Sequence, residues 1–167
     1  MVKNILAAID KGIVSILKVI IVILAAAMLT LMIIQVLFRY LLFIPSPWSE
    51  DLARLALVWC TFFASALGIR NLEHPQIDIL TKHFPKVIQN ILEIIIYLAI
   101  IGFGFILVYY GSLFAWATRI DHYTSLRYPK NFFYLPAPVG GVLFVIYSCR
   151  HLAEVVKGLI GKKQEAQ

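Results

Sequence analysis

The sequence predicts an all-α integral membrane protein with four transmembrane helices and both termini on the cytoplasmic side. Composition is the first reason: 61% of residues are hydrophobic and only 14% charged, where soluble domains run at about half apolar and a quarter charged. The second is a set of four long apolar stretches, each near the roughly 20 residues a helix needs to cross the hydrocarbon. The third is an uneven distribution of lysine and arginine between the segments that join them. A soluble fold of 167 residues with a mean hydropathy of +0.86 would leave much apolar surface facing water. One membrane domain covering residues 1–167 is expected, with spans at about 13–38, 47–70, 87–118 and 135–157.

The first span, Ile13 to Phe38, is interrupted only by Ser15, Lys18, Thr30 and Gln35. Lys18 lies near its start and can snorkel to the headgroups. Lys3 and Lys11 ahead of it imitate a signal peptide. The apolar run, however, far exceeds the roughly 7–15 residues of a signal h-region, so it reads as an uncleaved span. The second span opens with several helix-start signals together: Ser46 as a cap, Pro47 at the first position, and Glu50 and Asp51 at the positive end of the dipole. Arg70 closes it. The third, Val87 to about Thr118, is longer than a perpendicular crossing requires and should tilt or protrude. The fourth begins at Leu135, with Pro136 and Pro138 at its mouth and Arg150 near its far end. Gly102/Gly104 and Gly140-Gly141 permit close approach between helices.

Orientation follows from the cations near the span ends. Lys3, Lys11, Lys18, Arg70, Lys82, Lys86, Lys157, Lys162 and Lys163 fall on one side, and Arg39, Arg54, Arg119, Arg127 and Lys130 on the other. The first set is larger and holds nearly all the lysines, which places both termini and the 71–86 loop in the cytoplasm. The same bias accounts for the net charge of +6 without a nucleic-acid partner.

Chemistry-bearing patterns are few. Cys60 and Cys149 each sit in an apolar run and read as small hydrophobes. His74, His83, His122 and His151 lie in loops or at span ends, whereas a membrane b-type haem needs imidazoles meeting from helices at matching depth. No HExxH, P-loop or nucleophile constellation is present in the sequence. No enzymatic activity and no cofactor are expected. Glu93 is the one acid well inside an apolar run, and a structural ion pair with Arg70 or Arg150 is its expected role ahead of a proton or ion relay. The polar residues deep in the spans, Thr30, Gln35, Ser65 and Ser112, do not make the interrupted helices or midplane site of a carrier that works alone.

The densest polar signal lies where the first two spans meet the external interface: Arg39, Tyr40, Trp48, Glu50, Asp51 and Arg54. Glu50 and Arg54 are spaced for a helical ion pair with the acid first, and Arg39 can approach the same acids across the short loop. A structural clasp anchored by Trp48 and a docking site for a partner protein both fit these residues.

Arg39-Tyr40, a short linker, Trp48-Ser49-Glu50-Asp51, Arg54, Trp59, Phe63-Ala64, Arg70, His74 and Asp78, in that order, resemble the signature of the DctQ-type small membrane subunit of tripartite ATP-independent periplasmic (TRAP) transporters. Where the family often has two glutamates, this chain has Glu50-Asp51. The resemblance implies a non-catalytic small permease subunit in the bacterial inner membrane. It would scaffold a large DctM-type permease subunit that carries the sodium and substrate sites, and a periplasmic substrate-binding protein would deliver the cargo. That cargo would be a carboxylated organic acid taken up by sodium symport, with sialic acid favoured over C4-dicarboxylates. Arg39, Tyr40, Trp48, Glu50, Asp51, Arg54, Trp59, Arg70, His74 and Asp78 are then structural or partner-interface candidates. The external loop offers Arg119, Asp121, Tyr123, Arg127, Tyr128 and Lys130 to the periplasmic partner. Two alternatives compete: a haem- or quinone-binding membrane anchor of an oxidoreductase, and a self-assembling pore.

Overall fold

The computed structural model describes residues 2–71, 86–122 and 128–164. Five helices occur among them: α1 (Val2–Tyr40), α2 (Pro47–Arg70), α3 (Lys86–Ala117), the single turn α4 (Asn131–Tyr134) and α5 (Pro136–Gln164). Four segments are long and apolar enough to cross a bilayer: Asp10–Tyr40, Pro47–Arg70, Ile91–Ala117 and Asn131–Lys157. Helix is the only way an open-ended segment can satisfy its own backbone polar groups in lipid, which is why β-branched runs such as Ile94-Ile95-Ile96 are helical here.

α4 and α5 form one span with a break. Leu135 keeps a helical conformation and its N–H reaches the Asn131 carbonyl at 2.9 Å, but Pro136 has no N–H to continue the ladder. Pro136 is fully buried and starts α5, the helix position that proline tolerates best. The loop before it is closed at its base by the Lys130 N–H on the Asp121 carbonyl (2.8 Å) and by a His122–Pro129 bridge.

The packing order is α1–α2–α5–α3. The two outer helices are the more exposed: of the most apolar stretch, none of the residues of α1 and 6% of those of α3 are fully buried, against 28% for α2 and 33% for the fourth span, although α1 buries Val14 and Leu17 nearer its start. The core is therefore a narrow seam between α2, α5 and α3, where Ala66, Ile69, Phe144 and Tyr147 are packed by Phe62, Ile100, Leu107 and Leu143. Glycine sets its closest approach. A Cβ built on Gly104 would stand 2.7 Å from Val145 Cγ2, and one on Gly141 would stand 2.8 Å from the Gly104 carbonyl oxygen. Gly111 meets Pro138 in the same way, and Gly140 meets Phe62. Gly102, expected to share in this contact, has open space where its Cβ would be.

The cap expected at Ser46 takes a different form. Ser46 does occupy the N-cap position of α2 ahead of Pro47, but its hydroxyl makes no cap hydrogen bond. It pairs instead with the Ser49 hydroxyl at 2.9 Å, while Ser49 Oγ donates to the Ser46 carbonyl at 2.8 Å. Both serines are buried, and a side-chain pair satisfies them together.

Candidate partner interface and polar clusters

Two polar clusters sit at opposite ends of the bundle. The first is where α1 leaves the hydrocarbon and α2 enters it. Glu50 and Arg54 form the expected pair at 2.8 Å, with both side chains more than half exposed (55% and 53%). Arg39 and Glu50 line one groove of about 310 Å³ together with Gln35, Phe43, Pro45, Ser46 and Pro47, and among the described residues Arg39 forms no ion pair. Tyr40 is exposed, Asp51 half-buried, and Trp48 half-buried edge-on against Phe38 of α1. Trp59 lies further along α2, where its indole N–H donates to the Phe132 carbonyl at 3.0 Å and ties α2 to α4. Of the external-loop candidates, Arg119 stacks over the Trp116 ring at 3.9 Å, and the Asp121 backbone and Lys130 N–H close the loop. Tyr128 stands half-buried beside them. Tyr123 and Arg127, like His74 and Asp78, lie outside the described residues.

The second cluster corrects the expectation for Glu93. Arg70 and Arg150 do not pair with it; both converge on Asp10 of α1. Arg70 Nη2 and Nε reach Asp10 Oδ2 at 2.8 and 3.2 Å, and Arg150 Nη1 reaches Oδ1 at 2.9 Å. The topology explains the outcome. Asp10 begins the first span, Arg70 ends the second, and Arg150 is close to the end of the fourth, so the three meet at one bilayer surface. Glu93 belongs to α3, which packs on α5 and not on α1 or α2, and among the described residues it forms no ion pair.

The Asp10 side chain is only 12% exposed and joins α1, α2 and α5 through three charge-assisted hydrogen bonds. His151 extends the cluster. Its Nε2 lies 3.0 Å from the Arg70 carbonyl, one of the groups left without a helical partner at the end of α2. A carbonyl only accepts, so Nε2 carries the hydrogen. The ring also stacks on Tyr97 of α3 (5.7 Å between centroids), and with this contact all four long helices are linked at one end. Sequence reasoning missed Asp10. The signal available was charge balance: two arginines closing spans on one side call for an acid at the same depth, and Asp10 lies at that depth while Glu93 is two turns inside.

Among the described residues no three His, Cys, Asp or Glu groups are placed to hold a metal ion.

Comparison with known proteins identifies the family. The family model described as "Tripartite ATP-independent periplasmic transporters, DctQ component" matches residues 28–158. The chain is 28% identical over 144 residues to the sialic acid TRAP transporter small permease protein SiaQ of Vibrio cholerae, covering 86% of this chain and 83% of that protein. It is also 30% identical over 85 residues to the sialic acid TRAP transporter permease protein SiaT of Haemophilus influenzae, covering 51% of this chain and 14% of that much longer one. The reading as an oxidoreductase anchor gives way, and the chain is a multi-pass inner-membrane transporter subunit rather than an enzyme. The protein belongs to the DctQ family, the small permease component of TRAP transporters.

Proposed function

We propose that this subunit scaffolds a large DctM-type permease subunit for sodium-driven uptake of a carboxylated organic acid, with sialic acid favoured over C4-dicarboxylates. In this reading a periplasmic substrate-binding protein delivers the cargo and sodium binds the large subunit. Both termini face the cytoplasm, so the Asp10 cluster lies on that side and the Arg39–Glu50 groove faces the periplasm. The observation that carries the reading is the exposure of the outer helices: α1 shows Ile16, Val22, Ile23, Leu29 and Ile33 over half exposed, and α3 shows Phe105, Tyr109 and Trp116 likewise. A four-helix bundle this open offers long apolar faces to a larger companion. The preference for sialic acid draws support from the relatives in Vibrio cholerae and Haemophilus influenzae, whose names carry that substrate.

The test is reconstitution in liposomes of this chain, a large permease subunit and a sialic-acid-binding protein, with an inward sodium gradient. Sialic acid uptake should require all three proteins and collapse when sodium is equal on both sides. Uptake that proceeds without this chain would end the scaffold reading, and uptake of succinate but not sialic acid would end the substrate assignment.

A further inference from the structure

Asp10, Arg70, Tyr147, Arg150, His151 and Glu154 line a half-open cavity of about 160 Å³ at the end of the bundle where α1 begins its span and α2 ends. It is too large for a single water, whose share of liquid volume is about 30 Å³. Its level is that of the lipid headgroups, because the spans terminate there.

The cavity's hydrogen-bonding groups are unevenly used. Arg70 is committed: Nε and Nη2 go to Asp10 and Nη1 to Asn71. Arg150 gives Nη1 to Asp10, and its side chain is 51% exposed with further N–H groups to offer. The Tyr147 hydroxyl is buried without a hydrogen-bond partner, on a residue only 3% exposed. Such a group costs free energy unless something accepts from it. The opposite wall has the opposite want. Nε2 of His151 holds the hydrogen for the Arg70 carbonyl, so in the neutral ring Nδ1 is an acceptor, and it faces Glu154 Oε2 at 3.7 Å. In that state two acceptors face each other beyond hydrogen-bond length, and the Glu154 side chain is 70% exposed and open to a donor from outside.

Formal charge narrows the ligand. Arg70 and Arg150 balance Asp10 and Glu154. A simple anion would meet two carboxylates, and a simple cation two guanidinium groups. A zwitterion carrying a phosphate and a primary ammonium matches both walls. We propose that the cavity seats the headgroup of phosphatidylethanolamine. The phosphate accepts from Arg150 and the Tyr147 hydroxyl, and the ammonium donates to the Glu154 carboxylate and His151 Nδ1. The exposed side chains of Ile13 on α1 and Ile146 on α5 lie about one turn deeper and receive the acyl chains.

The test is native mass spectrometry of the full chain, delipidated in detergent and offered equal amounts of phosphatidylethanolamine, phosphatidylcholine and phosphatidylglycerol with identical acyl chains. Phosphatidylethanolamine should be retained over each of the others by about tenfold, the ratio one charge-assisted hydrogen bond carries. Phosphatidylcholine has no N–H to donate and phosphatidylglycerol has no ammonium. Glu154→Gln should bring the retention of phosphatidylethanolamine and phosphatidylglycerol close to equal. Tyr147→Phe, which keeps the ring and its packing and removes the unpaired hydroxyl, should lower phosphatidylethanolamine retention severalfold without lowering the melting of the delipidated chain. Equal retention of the three lipids by the unmodified chain would overturn the proposal. So would a preference that survives Glu154→Gln, or displacement of the lipid by millimolar inorganic phosphate, which would make the cavity an anion site.

Discussion

Asp10→Ala removes the one acid that two arginines share, and its cost can be bounded from burial. A fully buried ion pair broken from one side costs about 3–5 kcal/mol, because the remaining charge is stranded. An exposed pair is worth under about 1 kcal/mol. Asp10 and Arg70 lie between these limits at 12% and 28% side-chain exposure, while the Arg150 leg, at 51%, is largely screened. The expected loss is about 2–3 kcal/mol, nearly all of it from the Arg70 leg and the repulsion left between two guanidinium groups. Asp10→Asn keeps one carbonyl oxygen and should cost about half as much, within the range of hydrogen bonds to charged groups. Unfolding in mixed micelles of rising dodecyl sulfate content, followed by the fluorescence of Trp48, Trp59 and Trp116, measures both variants. Glu50→Ala is the internal control, since its pair with Arg54 has the same 2.8 Å length but both partners are more than half exposed. If Asp10→Ala shifted the transition no more than Glu50→Ala, the tie between α1, α2 and α5 would be decorative and burial would be the wrong guide.

Glu50→Ala or Arg54→Ala should cost the isolated chain under about 1 kcal/mol in the same unfolding assay, so a severe loss of co-purification with the large subunit would assign the pair to docking. Gly141→Leu should destabilise by about 1–3 kcal/mol or block accumulation in the membrane, because its side chain meets the α3 backbone; Gly102→Leu has open space and should melt like the parent. Trp59→Phe leaves the Phe132 carbonyl without its indole donor and should cost about 1 kcal/mol, read as an earlier fluorescence transition from the two remaining tryptophans. Transport by the parent chain should be as indifferent to reductant as that of the Cys60→Ser/Cys149→Ser double variant, since both thiols are free.

The parts of this fold that follow from solvent physics were legible in the sequence. Apolar length announces a bilayer span whatever the span packs against, so the four spans and the acid–base spacing of Glu50 and Arg54 needed no tertiary information. What was hidden depends on which helices are neighbours. Asp10 was passed over because its partners lie 60 and 140 positions along the chain, and Glu93 was favoured because depth in one helix is visible while adjacency between helices is not. Gly102 and Gly104 look alike in the sequence, yet only Gly104 turns toward α5. Ser46 carries the sequence mark of a cap, but burial beside Ser49 gave its hydroxyl a better partner than the backbone.

The order α1–α2–α5–α3 raises the question of what specifies it, since in lipid one apolar helix face is nearly as well solvated by acyl chains as by another helix. Two devices answer it here, and they divide the bundle between them. Between α3 and α5, Gly104, Gly111 and Gly141 let the backbones approach, so that dispersion and shape, rather than exclusion of water, hold the pair. Among the described residues α1 packs along α2 without a close glycine contact. No residue of its most apolar stretch is fully buried, and its inward face offers Val14 and Leu17 rather than glycine. Packing along α2 is joined by a polar tie, and Asp10 is the group that reaches both α2 and α5. The outer faces of α1 and α3 stay apolar and uncommitted, which leaves the discriminating contacts of this subunit at the ends of its helices: the Asp10 cluster at one bilayer surface and the Arg39–Glu50 groove at the other.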